Sequence, residues 1–315
     1  MRVVFMGTPD FSVGTLKAII EAGHEVAAVV TQPDKPKGRS KALVCSPVKE
    51  EAMSHGLRIL QPQRARDEEF IQELKAINAD VFVVVAFGQI LPSSIINMPP
   101  YGCINVHASL LPKYRGASPI QWAVIDGCEY SGVTIMKMDE GIDTGDILKT
   151  EEVKLNPKET GGSLFERLSD VGARLLVETL EELEAGTVVP VPQNDAESTY
   201  VKMLDKSFGK MDFNEDAVKI ERLIRGLNPW PSAFTFINGK MLKVWDADVI
   251  SDDSACQLRD GEPGEVVEID KESFTVACGN GYLIIKEVQL EGKKRMDSGS
   301  FLRGNHLDKG VVLGE

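Results

Sequence analysis

The chain has 315 residues, 43% of them hydrophobic and 26% charged, the balance of an ordinary soluble globular protein too long for a single core. Its net charge of −13 argues against a general nucleic-acid binder. Its longest clean apolar run, residues 81–87, is far too short to span a bilayer, and the N-terminus lacks the length and cleavage-site character of a secretory signal. The five cysteines (45, 103, 128, 256 and 278) are odd in number, scattered, and form no C-x-x-C pair. They read as reduced thiols of a cytoplasmic protein, with neither a disulfide framework nor a structural zinc site.

In chain order, the first half alternates strand and helix signals. Residues 3–6 form a short buried strand that breaks into Gly7-Thr8-Pro9-Asp10. A helix follows with Leu16, Ile19 and Ile20 at core spacing, and Gly23 stands where a C-terminal cap belongs. Residues 26–30 are the next strand. Ser46 and Pro47 then read as N-cap and first helical position, with Gly56 closing that helix. Another helix covers 67–77, strands are expected at 81–86 and 103–107, and Ser118-Pro119 opens a helix through Ile125. Such alternation predicts a Rossmann-like parallel sheet with helices on both faces and ligands at the carboxyl ends of its strands. The dinucleotide fingerprint G-x-G-x-x-G is absent after the first strand, which argues against nicotinamide chemistry.

A long amphipathic helix over 164–184 ends at Gly186, and the proline-flanked polar stretch after it has linker character. The pattern then changes. After a helix near 217–225 come short β-type runs at 233–237, 242–245, 264–269, 274–277 and 282–288, punctuated by Gly, Asn or Asp. They predict a small antiparallel barrel. The expected organisation is therefore α/β over residues 1–189, a linker over 190–206 and a β domain over 207–315.

One constellation carries chemistry. In the strand at 103–107, residues two apart share a face, so Asn105 and His107 point one way and Ile104 and Val106 the other. An amide donor beside a titratable imidazole is what acyl transfer through an oxyanion requires. A lone acid, Asp143, follows between Gly141 and Gly145 and could orient that imidazole and hold it protonated. The competing reading is a structural strand-end histidine and a turn aspartate. Against the acidic background one basic cluster stands out: Lys35, Lys37, Arg39 and Lys41, with no acid between them. A second is Lys293-Lys294-Arg295. From Lys206 onward the chain holds 15 Lys and Arg against 19 Asp and Glu, so the second half is not basic as a whole.

Taken together, residues 5–11, 31–34, 83–92, 103–117, 119–121, 132–136, 138–146, 224–231 and 301–304 resemble the methionyl-tRNA formyltransferase family over nearly the whole chain. The resemblance implies that Asn105, His107 and Asp143 are catalytic. It implies that Ser109, Leu110, Leu111 and Pro112 bind 10-formyltetrahydrofolate, with Phe87, Gln89, Ile90 and Leu91 lining the pterin pocket. The loop carrying Lys35, Lys37, Arg39 and Lys41 looks like the insertion that reaches the acceptor arm of initiator methionyl-tRNA, with Arg39 matching its key arginine. The second domain resembles an OB-like barrel that grips the tRNA. The implied reaction needs 10-formyltetrahydrofolate as cosubstrate, no metal and no nicotinamide. It involves no membrane and no obligate protein partner.

Two other readings remain at this point. One is a formyltransferase for an amino sugar or a ribonucleotide amine, though a small acceptor needs neither the basic loop nor the second domain. The other is a catalytically silent tRNA- or folate-binding module, weakened by the presence of all three candidate catalytic residues.

Overall fold

The β–α rhythm of the first half folds into a seven-stranded sheet. The computed structural model describes residues 1–37, 42–250 and 261–314. From one edge to the other the strands are Ile147–Lys154, Tyr130–Lys137, Cys103–His107, Val81–Val85, Arg2–Gly7, Glu25–Val30 and Ile59–Leu60. The last five run parallel. Tyr130–Lys137 pairs antiparallel with both of its neighbours, a local exception in the expected parallel sheet. The register explains it: His107 pairs with Thr134 and Ile104 with Lys137, so the chain re-enters beside the strand end it has just left. The connection, residues 108–129 with the helix Pro119–Ile125, therefore starts and ends at the same end of the strand, as antiparallel neighbours allow.

The N-terminal strand is buried from Val3 to Met6 and Val81–Val85 is buried throughout, as β-branched runs covered on both faces must be. On one face Val4, Met6, Val84 and Cys103 pack with Phe70, Leu74 and Ile77 of the helix Glu68–Ile77. On the other, the 24-residue helix Gly161–Glu184 comes so close that a Cβ on Gly172 would lie 2.9 Å from Val106 Cγ1. The expected caps form: Ser46 Oγ accepts from the Lys49 amide at the start of Pro47–Ser54, and Gly23 and Gly56 sit at positive φ.

The chain packs as two compact units. The first comprises residues 1–119, 130–154 and 165–201, and the second 120–129, 155–164 and 202–314. Residues 190–201, expected within a linker, belong to the first unit. Tyr200–Val201 pairs in parallel with Arg115–Gly116, and Val191 exchanges two 2.8 Å backbone hydrogen bonds with Ile147. Polar composition marked this segment as a loop. Its partners, far away in sequence, make it an ordered strap.

The second unit contains an antiparallel sheet in the order Ala233–Ile237, Lys240–Ile250, Tyr282–Leu290, Phe274–Ala277, Val266–Ile269. Two runs extend beyond their expected ends, notably 242–245, which is part of an 11-residue strand. No strand pairing among the described residues closes this path into a barrel. Leu242, Val244, Phe274, Val276, Leu283 and Ile285 form its core with Ile220 and Ile224 of the helix Ala217–Gly226. Among the described residues no helix is long and apolar enough to cross a membrane. Cys45, Cys103 and Cys278 form no disulfide, and burial pushes the Cys103 thiol up to about 12, where it is inert.

Ile104 is fully buried in the strand that carries the candidate site. Replacing Ile104 with Ala should lower unfolding stability by about 2–5 kcal/mol, read as a fall in the urea midpoint at unchanged slope. A change below about 1 kcal/mol would show that the sheet does not depend on this contact.

Candidate active site

The strand Cys103–His107 fixes the site by its alternation. Ile104 and Val106 are driven into the core, so Cys103, Asn105 and His107 share the opposite face. Asn105 is 9% exposed and His107 7%. The Asn105 side-chain amide has no hydrogen-bond partner in the described protein, whereas both nitrogens of His107 face acceptors. His107 Nε2 lies 3.0 Å from the Tyr114 carbonyl oxygen, which can only accept, so Nε2 carries a proton. Nδ1 lies 3.7 Å from Asp143 Oδ2.

Asp143 arrives from an unexpected direction. The loop 138–146 connects the two antiparallel strands and leaves the sheet beside Cys103, where the Met138 amide donates to the Cys103 carbonyl. It must therefore double back across the Asn105 face to bring a carboxylate to His107. Asp143 makes that reversal in the left-handed region, at φ 54°, a conformation costing about 1–3 kcal/mol outside glycine. The turn is closed tightly, since a Cβ on Gly145 would stand 1.8 Å from the Lys137 carbonyl oxygen. Asp139 Oδ1 also accepts from Thr144 Oγ1 and the Gly141 amide. The Asp143 carboxylate then accepts the Gly116 amide at 2.7 Å through the same Oδ2 that faces His107.

The segment 109–116 encloses the site from the strand's carboxyl end. Thr134, buried and paired with His107, donates to the Ser109 carbonyl at 2.7 Å and accepts from the Leu111 amide at 3.1 Å. Ser109 Oγ donates to the Lys113 carbonyl, and Ser109 and Leu111 are buried while Leu110 and Pro112 are partly exposed. Arg115 is 1% exposed, and its guanidinium donates to Gln193 Oε1, Asp195 Oδ1 and the Tyr200 hydroxyl. Burial alone would lower its proton affinity. The hydrogen bonds to Asp195 and Tyr200 outweigh that and leave it raised.

The other expected site residues fall in three groups. Phe87 and Leu91 are buried in the core, whereas Gln89 is anchored by accepting the Ala65 amide and donating to the Pro62 carbonyl. Ile90 is 89% exposed. Gln89 and Ile90 line a cleft of about 670 Å³ with Gln32, Lys35, Arg64 and Arg66. Lys35 is exposed at the base of a short hairpin in which Lys35–Lys37 pairs with Ala42–Val44. Arg39 and Lys41 lie outside the described residues. At that base, hydrogen bonds from Lys49 and Gln61 hold the Asp34 carboxyl below its usual range. The structure thus brings Asn105, His107, Asp143 and the 109–112 turn together, while Lys35 of the basic hairpin lines the cleft with Gln89 and Ile90. Sequence reasoning missed Thr134, Gln193 and the role of Arg115. Arg115 stood inside a quoted motif, but Gln193 lies in a stretch that reads only as polar loop.

Comparison with known proteins identifies the family. Residues 1–180 match the formyl transferase family, and residues 203–306 match the formyl transferase C-terminal domain. The chain is 77% identical over its full 315 residues to the methionyl-tRNA formyltransferase of Lachnospira eligens, covering all of that protein. It is 60% identical over 310 residues to that of Agathobacter rectalis, covering 98% of each chain. The crystal structure of WlaRD, a sugar 3N-formyl transferase in the presence of dTDP and 5-N-formyl-THF, superposes with a TM-score of 0.66 at 18% identity. That match covers 93% of this chain and 99% of the other, and it speaks for the fold alone. By full-length identity and by both family models, this chain belongs to the methionyl-tRNA formyltransferases of the formyl transferase family.

Proposed function

We infer that this chain moves the formyl group of 10-formyltetrahydrofolate to the α-amino group of methionine on initiator tRNA, and that Asn105, His107 and Asp143 carry the step. The observation that bears most weight is the pairing of an unpartnered amide with an imidazole whose two nitrogens face a carbonyl and a carboxylate. When the amine attacks the formyl carbon, negative charge develops on the formyl oxygen. The free Asn105 amide is the hydrogen-bond donor for that charge, and a His107 ring protonated on both nitrogens stands beside it on the same strand face as the countercharge. One such donor contributes about 3–4 kcal/mol of transition-state stabilisation. Asp143 holds the ring in register and balances its charge, and the proton leaving the amine passes to N10 of the folate as the C–N10 bond breaks. Ser109–Pro112 and the 87–91 loop are the proposed folate contacts. Their turn is pinned by Thr134, so the donor would meet a preformed wall.

The acceptor is assigned to two surfaces. One is the hairpin bearing Lys35, Lys37, Arg39 and Lys41. The other is the second unit, expected over 207–315, where Lys210 lies over the Phe236 ring, and Lys243 and Arg295 lie over Trp245. Cations laid on aromatic faces suit a sugar–phosphate backbone with exposed bases.

Replacing His107 with Asn, or Asp143 with Asn, should lower kcat by about 10²–10³-fold while the affinity for 10-formyltetrahydrofolate stays within about twofold. Near-normal turnover in single-turnover assays of either variant would remove the assignment.

Alanine at Lys35, Lys37, Arg39 and Lys41 together should depress kcat/KM for methionyl-tRNA and leave folate binding unchanged. The log–log slope of tRNA affinity against salt should flatten by about one unit per lost phosphate contact. Wild-type slope and efficiency across a salt series would show the hairpin to be a solvated loop.

A further inference from the structure

We infer that Gln193 is a positioning residue for formyl transfer, setting the backbone of Asp143 so that its carboxylate meets His107. This rests on the reading of Asp143 and His107 given above. Gln193 Nε2 donates to the Asp143 carbonyl at 2.9 Å and to the Gly145 carbonyl at 2.7 Å. Its Oε1 accepts from Arg115 Nε at 3.1 Å and Nη2 at 2.8 Å. The orientation of the amide follows from chemistry: a guanidinium only donates and a carbonyl only accepts, so the oxygen faces Arg115 and the nitrogen faces the loop. Both of its hydrogens and both of its lone pairs are used.

These bonds close a ring around the catalytic pair. The tripeptide 114–116 touches it at every residue. The Tyr114 carbonyl accepts a hydrogen bond from His107 Nε2, the Gly116 amide donates to the Asp143 carboxylate, and the Arg115 side chain holds Gln193. Gln193 in turn grips the backbone of the residue whose carboxylate Gly116 holds. Asp143 is therefore fixed at both ends, by its side chain and by its carbonyl, from one dipeptide. That double hold suits a left-handed residue in a loop that must double back over the strand, where release would let φ relax and swing the carboxylate away. Gln193 is itself kept in place on both sides, by the Val191–Ile147 bridge before it and the Thr199–Val201 pairing with residues 114–117 after it. Reactions held in near-attack geometry lose about 10²-fold for a misplacement of about 1 Å, so a residue with no substrate contact can control turnover.

The test is a mutant cycle on the full-length enzyme. Gln193→Glu keeps an acceptor for Arg115 and removes both donors to the loop. At saturating methionyl-tRNA and 10-formyltetrahydrofolate it should cut kcat by about 10–100-fold, with both KM values unchanged within about twofold. In an Asp143→Asn background the same change should cost less than about threefold, because the carboxylate it positions is gone. A fully additive loss, or wild-type kcat in Gln193→Glu while Asp143→Asn is impaired, overturns the inference and leaves the catalytic reading intact. Wild-type kcat in Asp143→Asn overturns both. Should Gln193→Glu fail to fold, Gln193→Asn, whose amide falls one methylene short of the two carbonyls, reads the same kcat-against-KM split.

Discussion

The His107 imidazole, held between the Tyr114 carbonyl and the Asp143 carboxylate, is the interaction around which the first unit is organised. Neither partner is near His107 along a strand or a helix turn. Tyr114 reaches it through a turn braced by Thr134, and Asp143 through a loop that reverses in the left-handed region. A ring so placed has its orientation set before any substrate arrives. Catalysis by an oxyanion site depends on such preorganisation, because donors that need not reorient cost nothing at the moment of reaction.

The antiparallel hairpin Tyr130–Lys137/Ile147–Lys154 is what makes this possible. The loop between its two strands starts beside Cys103 and carries the Asp143 carboxylate to His107. The hairpin also supplies Thr134 to brace the 109–111 turn. One departure from the Rossmann-like pattern therefore supplies both the acid and the wall of the site. The strap of residues 190–201 completes it from the far side, through the buried Arg115.

Charge is distributed in keeping with a substrate much larger than the site. The chain is strongly acidic, yet cations line the cleft at Lys35, Arg64 and Arg66 and lie over aromatic rings of the second unit. A net charge of −13 disfavours indiscriminate nucleic-acid binding.

Much was legible from residues alone, because it depends on local periodicity. The strand at 103–107 and the shared face of Asn105 and His107 follow from a period of two. Ser46-Pro47 and Gly56 mark their helix through capping chemistry that acts over one turn. The presence of a second, antiparallel β unit after residue 201 was readable from its turn residues. What sequence could not supply was every relation that depends on two segments meeting. The antiparallel entry of Tyr130–Lys137, the doubling-back of the Asp143 loop, and the conversion of a polar stretch into a strap gripping Arg115 all arise from long-range hydrogen bonds. Gln193 shows why: a polar amide following Pro192 carries no periodic signal, and its hydrogen bonds exist only once Arg115 and the carbonyls of Asp143 and Gly145 surround it.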